Sequence, residues 1–159
     1  MKIVRFGELA RGSLYELLMD AYSESRELVN RHKADWKKFD DYIYDHLQQT
    51  EATGFVTLDG KRPIGFISWD PRGMPGTIEL GHNCIIKQYK GQGHGGRQLS
   101  KALEMISELR PDKVIVKTGK IDFFEPARRM YRSAGFKKRR IIHLKGEVVP
   151  EAIEFQLLL

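Results

Sequence analysis

Apolar positions along this chain change period several times, and each change marks an element. Residues 3–6 read as a short first strand. Leu14, Leu17, Leu18, Ala21 and Tyr22 then recur at steps of three and four, the stripe of an amphipathic helix. Trp36, Phe39, Ile43 and Leu47 form a second stripe, with Asp35 as a suitable N-cap after the polar residues 30–33. Residues 54–58, then Asp59-Gly60, then residues 61–69 are the strongest hairpin signal, two β-rich runs around a two-residue turn. A Pro/Gly-rich loop follows at 70–76, and a strand at 77–86. Inside that strand stand Gly81 and the polar His82 and Asn83, and a glycine there marks a bulge or a close approach by another backbone or ligand. Leu99, Ala102, Leu103, Ile106 and Leu109 predict another helix, whose other face carries Arg97, Ser100, Lys101, Glu104 and Ser107. A strand at 114–117, a short helix from Ala127 closed by Gly135 and a strand opened by Phe136 come next, and residues 141–144 are read as strand. Residues 152–159 supply the last strand, so the order is β-α-α-β-β-β-α-β-α-β-β.

No repeat or low-complexity tract divides the 159 residues, and their length suits a single domain, 1–159. Hydrophobic residues at 41% and charged residues at 30% suit a soluble globular protein. No apolar run approaches a membrane span, the first residues lack a signal-peptide core, and Cys84 is a lone cysteine, which together lead us to expect a cytoplasmic protein. The net charge of +6 is concentrated late in the chain. Eight basic residues (Arg128, Arg129, Arg132, Lys137, Lys138, Arg139, Arg140 and Lys145) fall between Pro126 and Lys145 with no acidic one among them. Such a patch suits nucleic acid, a phosphate-bearing small molecule, or a merely solvated face.

The segment from Lys90 to Gly96, Lys-Gly-Gln-Gly-His-Gly-Gly, carries the chemistry. It holds four glycines in six positions between a strand and a helix, so several backbone N–H groups converge at a helix N-terminus, a place for a phosphate or pyrophosphate. Gly91-x-Gly93-x-x-Gly96 satisfies the dinucleotide-binding GxGxxG pattern. A dinucleotide fold, however, needs an acidic residue at the end of the next strand, and Lys117 and Thr118 stand there instead. No GxxxxGK[ST] occurs.

Further on, Ala127-Arg128-Arg129-Met130-Tyr131-Arg132-Ser133-Ala134-Gly135-Phe136 gives A-x-x-M-Y-x-x-x-G-F. A glycine loop, helix and strand followed by this segment resembles the GNAT superfamily of acetyl-CoA-dependent N-acetyltransferases. Its R/Q-x-x-G-x-G/A motif is filled by Lys90-Gly91-Gln92-Gly93-His94-Gly95, with lysine departing from the first position. The resemblance implies an α/β (α+β) GNAT-like acyl-CoA N-acyltransferase fold. Its centre is a mixed, mostly antiparallel sheet of about seven strands flanked by about four helices.

It also implies roles. Acetyl-CoA is the donor, and the backbone of Lys90, Gly91, Gln92, Gly93, His94, Gly95 and Gly96 holds its pyrophosphate. Asn83, Cys84 and Ile85 pair with the pantetheine arm, and an N–H of that segment polarises the thioester carbonyl. Tyr131 matches the tyrosine that protonates the departing thiolate, a role open to a phenol of pKa about 10. Where many members carry a cofactor-contacting asparagine, this chain has Phe124. Glu79, with His82 as an alternative, is the candidate base for the acceptor amine. Cys84 lacks a companion base, and the five histidines show no ligand spacing, so we expect neither an acyl-enzyme nor a metal. The acceptor is open among a small amine, a peptide α-amine and a protein lysine. The terminal strand, Phe155 to Leu159, is read as core or as the edge of a homodimer. Two rivals stand beside this reading: a basic nucleic-acid-binding domain, and an acyl-CoA-binding regulator without catalysis.

Overall fold

The computed structural model describes residues 1–159. Seven strands form one sheet: β1 (Lys2–Val4), β2 (Gly54–Asp59), β3 (Arg62–Asp70), β4 (Thr77–Ile85), β5 (Lys113–Gly119), β6 (Lys137–His143) and β7 (Glu151–Leu158), in the order β1-β2-β3-β4-β5-β7-β6. The helices are α1 (Ser13–Ala21), α2 (Arg26–Asp45), α3 (Leu47–Thr50), α4 (His94–Ser107) and α5 (Glu125–Ser133). Strands β4 and β5 run parallel, while β1–β2, β2–β3, β5–β7 and β6–β7 are antiparallel. The chain packs as two compact units, Met1–Ser68 with His82–Leu99, and Trp69–Gly81 with Ser100–Leu159.

The first unit is built on a core of Phe6, Leu14, Leu18, Trp36, Ile43, Val56, Ile64 and Phe66, drawn from the turn after β1 and from α1, α2, β2 and β3. Helix α2 starts well before the sequence signal placed it. Its N-cap is Ser25, whose Oγ accepts from the N–H of Leu28 at 3.3 Å, and Asp35 lies inside the helix. The polar residues 30–33 contain no helix breaker, and buried Leu28 anchors the extra turns, so the polar stretch is an outward face rather than a loop. The hairpin pairs Asp59 with Arg62, which moves the two-residue turn to Gly60 and Lys61.

The second unit follows from the alternation of β5, where Val114, Val116 and Thr118 are buried and Lys117 is exposed. Strand β7 pairs with β5 on one side and β6 on the other, so the terminal strand is interior and is not an edge for a second copy. The open edges are β1 and β6. Helix α5 takes Pro126 in its first turn and is followed by Gly135 at φ 95°, the expected boundary residue. Leu109 lies past the end of α4 and is exposed, because the chain turns at Arg110 (φ 55°).

Candidate active site

In the first unit the turn Lys87–Tyr89 leads into the glycine segment. Helix α4 already starts at His94, so Gly95 and Gly96 are first-turn helical residues and the loop proper is shorter than the glycine count suggests. Gly91 and Gly93 have φ of 74° and 83°, left-handed angles that other residues adopt only with strain. A Cβ on Gly91 or Gly96 would meet nothing within 4 Å, whereas one on Gly93 would lie 2.8 Å from the Arg97 guanidinium. That guanidinium folds back over the loop, donating to Gln92 O at 3.0 Å and lying 3.1 Å from His94 Nδ1. Free first-turn N–H groups, the positive end of the α4 dipole and the Arg97 charge therefore meet at one open surface suited to an anion. The sequence pattern assigns Arg97 only to the polar face of the helix; its position in the first turn is the signal that marks it.

Lys90 turns away from this surface. Its ammonium donates to the carbonyl of Ala21 at the end of α1 and lies 3.8 Å from Glu24. Beside it the Lys87 N–H donates to Asp20 Oδ1 at 2.8 Å, so the entry to the loop is tied to the C-terminal turn of α1.

Asn83, Cys84 and Ile85 lie at the end of β4 in the same unit. A close backbone approach lies at Gly65 of the neighbouring β3, whose Cβ would sit 2.3 Å from Cys84 O. Gln98, in the first turns of α4, is completely buried and reaches this strand. Its Nε2 donates to Phe66 O at 2.8 Å and to Asn83 Oδ1 at 2.7 Å, with Cys84 O at 3.3 Å, and its Oε1 accepts from Thr57 Oγ1 at 2.7 Å. Gln98 belonged to neither helical stripe in the sequence, and nothing in the periodicity marked it. Burial pushes the Cys84 thiol up to about 12, which removes it as a nucleophile near neutrality. Burial pushes His82 down to about 4, and its ring lies edge-on to Phe39 at 4.6 Å, so it is a neutral imidazole and a weak base.

The second unit holds the other two candidates. Glu79 is 3.0 Å from Lys117 Nζ, and the β4–β5 ladder that carries both ends at Leu80↔Val116, immediately before Gly81. Tyr131 is buried on α5, edge-on to Phe136 at 5.6 Å and tilted against Phe155 at 6.4 Å. Arg128, one turn earlier, donates to Gly119 O at 2.6 Å and Ile121 O at 2.9 Å and pairs with Glu125 at 2.7 Å, fastening the end of β5 to α5. Phe124 packs on Gly119, where a Cβ would lie 2.8 Å from its ring. The hydroxyl of Thr118 and the indole N–H of Trp69 are buried without a hydrogen-bond partner.

The basic run is less of a patch in space than in sequence. Arg128 is buried, and Arg139 and Arg140 both bind Glu154, 3.0 and 3.1 Å away. Glu154 comes from β7, so strand pairing supplies the acid that the sequence window lacked. No group of three or more His, Cys, Asp or Glu side chains is placed to hold a metal ion. No helix is long and apolar enough to cross a membrane.

Comparison with known proteins agrees with this architecture. The ribosomal-protein-alanine N-acetyltransferase of Brucella melitensis superposes with a TM-score of 0.80 at 17% identity, covering 100% of each chain. A Bacillus subtilis acetyltransferase solved with CoA gives 0.70 at 19% identity, over 99% of this chain and 98% of that one. An aminoglycoside 6′-N-acetyltransferase complexed with coenzyme A gives 0.72 at 12% identity, over 99% and 97%. At these identities the likeness is one of fold. No curated protein matches the chain by sequence. The sequence model of the Acetyltransferase (GNAT) family matches residues 12–136, which takes in the glycine loop and the whole of the Tyr131 segment, and the chain is a member of that family.

Proposed function

We propose that this acetyltransferase moves an acetyl group from acetyl-CoA to a primary amine by direct attack of the amine on the thioester. The observation that carries the proposal is the glycine loop, with left-handed Gly91 and Gly93, open space at Gly91 and Gly96, and a first helical turn of free N–H groups under the Arg97 charge. Those groups match a pyrophosphate in charge and in donor geometry. Two fold neighbours solved with CoA support the same ligand class. Bound there, acetyl-CoA supplies an activated acyl group.

The chain's residues do the rest. Gly91, Gln92, Gly93, His94, Gly95 and Gly96 fix the diphosphate through their backbone, while Lys90 holds the loop to α1. Asn83, Cys84 and Ile85 offer strand hydrogen bonds to the amide-bearing arm, and an N–H of that segment stabilises charge on the carbonyl oxygen. Tyr131 gives its phenolic proton to the departing sulfur. Glu79 takes a proton from the amine through water, a role that requires it to exchange its Lys117 partner. The buried, protonated Cys84 thiol favours direct transfer over an acyl-enzyme.

The test is release of free CoA thiol from acetyl-CoA on addition of each of three amine classes: a polyamine or aminoglycoside, a peptide with a free α-amine, and a lysine-bearing peptide with a blocked terminus. Amine-dependent release with acetylated product supports the reading and names the acceptor class. Binding of acetyl-CoA with no transfer to any of the three would favour a regulatory acyl-CoA sensor instead.

A further inference from the structure

Thr118, on β5 in the second unit, is 5% exposed, and its hydroxyl is buried without a hydrogen-bond partner. A hydroxyl in that condition costs free energy comparable to a lost hydrogen bond. The strand itself has no use for it. Val114 and Val116 fill the two preceding buried positions on the same face, and a valine at 118 would continue the row with the same branched shape. A polar atom kept where an apolar side chain of equal shape fits calls for a partner from outside the fold.

Two relationships within this unit say what that partner is. The β4–β5 ladder runs from Thr77↔Lys113 to Leu80↔Val116 and stops, whereas β5 continues on β7 through Lys117, Thr118 and Gly119. Thr118 therefore stands just past the point where β5 loses its second neighbour. The register also fixes its face. Val116 is opposite Phe155, against which the Tyr131 ring is tilted at 6.4 Å, and Thr118 is two residues further on the same side of the strand. Glu79, opposite Ile115, and Lys117 are on the other side. The orphaned hydroxyl thus shares the face of β5 that carries the proposed acid, not the face that carries the proposed base. We infer that Thr118 is a binding residue for acetyl-CoA, its hydroxyl donating a hydrogen bond to a carbonyl oxygen of the acyl-pantetheine arm. The inference rests on the proposed acetyl-CoA reading, in which Tyr131 gives its proton to the sulfur at the end of that arm. The arm carries amide and thioester carbonyls, which only accept, and a hydroxyl is a donor that matches them.

The test compares wild type, Thr118→Val and Thr118→Ser in two measurements, because the inference predicts effects of opposite sign. The first is thermal denaturation of the protein without ligand. Thr118→Val removes a hydroxyl that has no partner there, so its Tm should rise by about 2–4 °C. The second is titration calorimetry with acetyl-CoA, CoA, and 3′-phosphoadenosine 5′-diphosphate, which has the phosphates but no arm. Thr118→Val should bind acetyl-CoA about 10-fold more weakly, the worth of one hydrogen bond, and the armless nucleotide as wild type does. Thr118→Ser, which keeps the hydroxyl, should bind acetyl-CoA nearly as wild type does. An equal loss for CoA places the bond on an amide carbonyl of the arm; a loss confined to acetyl-CoA places it on the thioester oxygen. A Tm for Thr118→Val that is unchanged or lower, or failure of this variant to fold, would show that the hydroxyl is already paired in the free protein, as by a buried water, and would overturn the inference. Unchanged acetyl-CoA affinity in Thr118→Val, a matching loss for the armless nucleotide, or an equal loss in Thr118→Ser would overturn it as well. Absence of any binding by wild type would remove the acetyl-CoA reading itself, a result distinct from these.

Discussion

Asp40, wholly buried on α2, accepts a hydrogen bond from the backbone N–H of Leu14 at 3.1 Å, 26 positions earlier in the chain. The same carboxylate takes the N–H groups of Gly12 at 2.8 Å and Tyr15 at 3.1 Å. It acts as the N-cap that α1 lacks locally, because Gly12 has no side chain to offer. Negative charge at a helix N-terminus is favourable, and the cap clamps α1 onto α2 from inside the first unit.

Asp40→Ala would leave three donors without their acceptor. The expected cost is about 2–4 kcal/mol, or a fall of roughly 5–15 °C in Tm for a chain of this length. Thermal denaturation followed by circular dichroism measures it. A change below about 1 °C would show that water replaces the carboxylate without loss.

Tyr131→Phe keeps the ring that packs on Phe136 and Phe155 and removes only the hydroxyl. Turnover is expected to fall about 10²–10⁴-fold with the acetyl-CoA affinity unchanged. Unchanged turnover would remove Tyr131 from the proton path and leave the fold assignment intact.

His82 makes stability depend on pH in a definite direction. Its folded pKa, about 4, lies below the ordinary value of 6.5, so between these values the unfolded chain binds the extra proton. Stability is full above pH 6.5 and is lost as the pH falls toward 4, by about 3 kcal/mol at most from this residue. Urea midpoints measured across that window should drop more steeply for wild type than for His82→Phe. Parallel slopes in the two proteins would mean that the imidazole is reached by water.

Cys84 should be silent toward a disulfide reagent such as dithionitrobenzoate in the native protein and react fully in denaturant, since burial pushes its thiol up to about 12. Rapid reaction in buffer would contradict the packing described for β4.

Much of this architecture could be read from the sequence because it is written in short-range periodicity. The order of elements along the chain, the amphipathic stripe of α4 and the Gly135 boundary of α5 all depend on neighbours within a few residues. What escaped was set by contacts distant in sequence. Residues 30–33 were polar enough to pass for a loop until Leu28 and Ser25 anchored α2 ahead of them. Glu154 neutralises Arg139 and Arg140 only once β7 lies beside β6. The glycine loop was visible as a motif, yet its length was not, because glycines at the start of a helix look the same in sequence as glycines in a loop. Gln98 and Asp40 share a reason for being missed. Each is a polar residue inside the protein, satisfied by partners 14 to 41 and 25 to 28 positions away respectively, and hydrophobic patterning assigns such residues to the surface.

The central claim is that the loop closing on α4 holds the phosphates of CoA. Gly96→Asp tests it most directly, because a Cβ there meets no neighbour and an aspartate in the first turn favours the helix, so folding is preserved while negative charge is placed beside the bound anion. Titration calorimetry with CoA should show binding by wild type and a loss of about 10-fold or more in Gly96→Asp, with Tm unchanged or raised. Equal affinity in the two proteins, or no binding by wild type, would contradict the account.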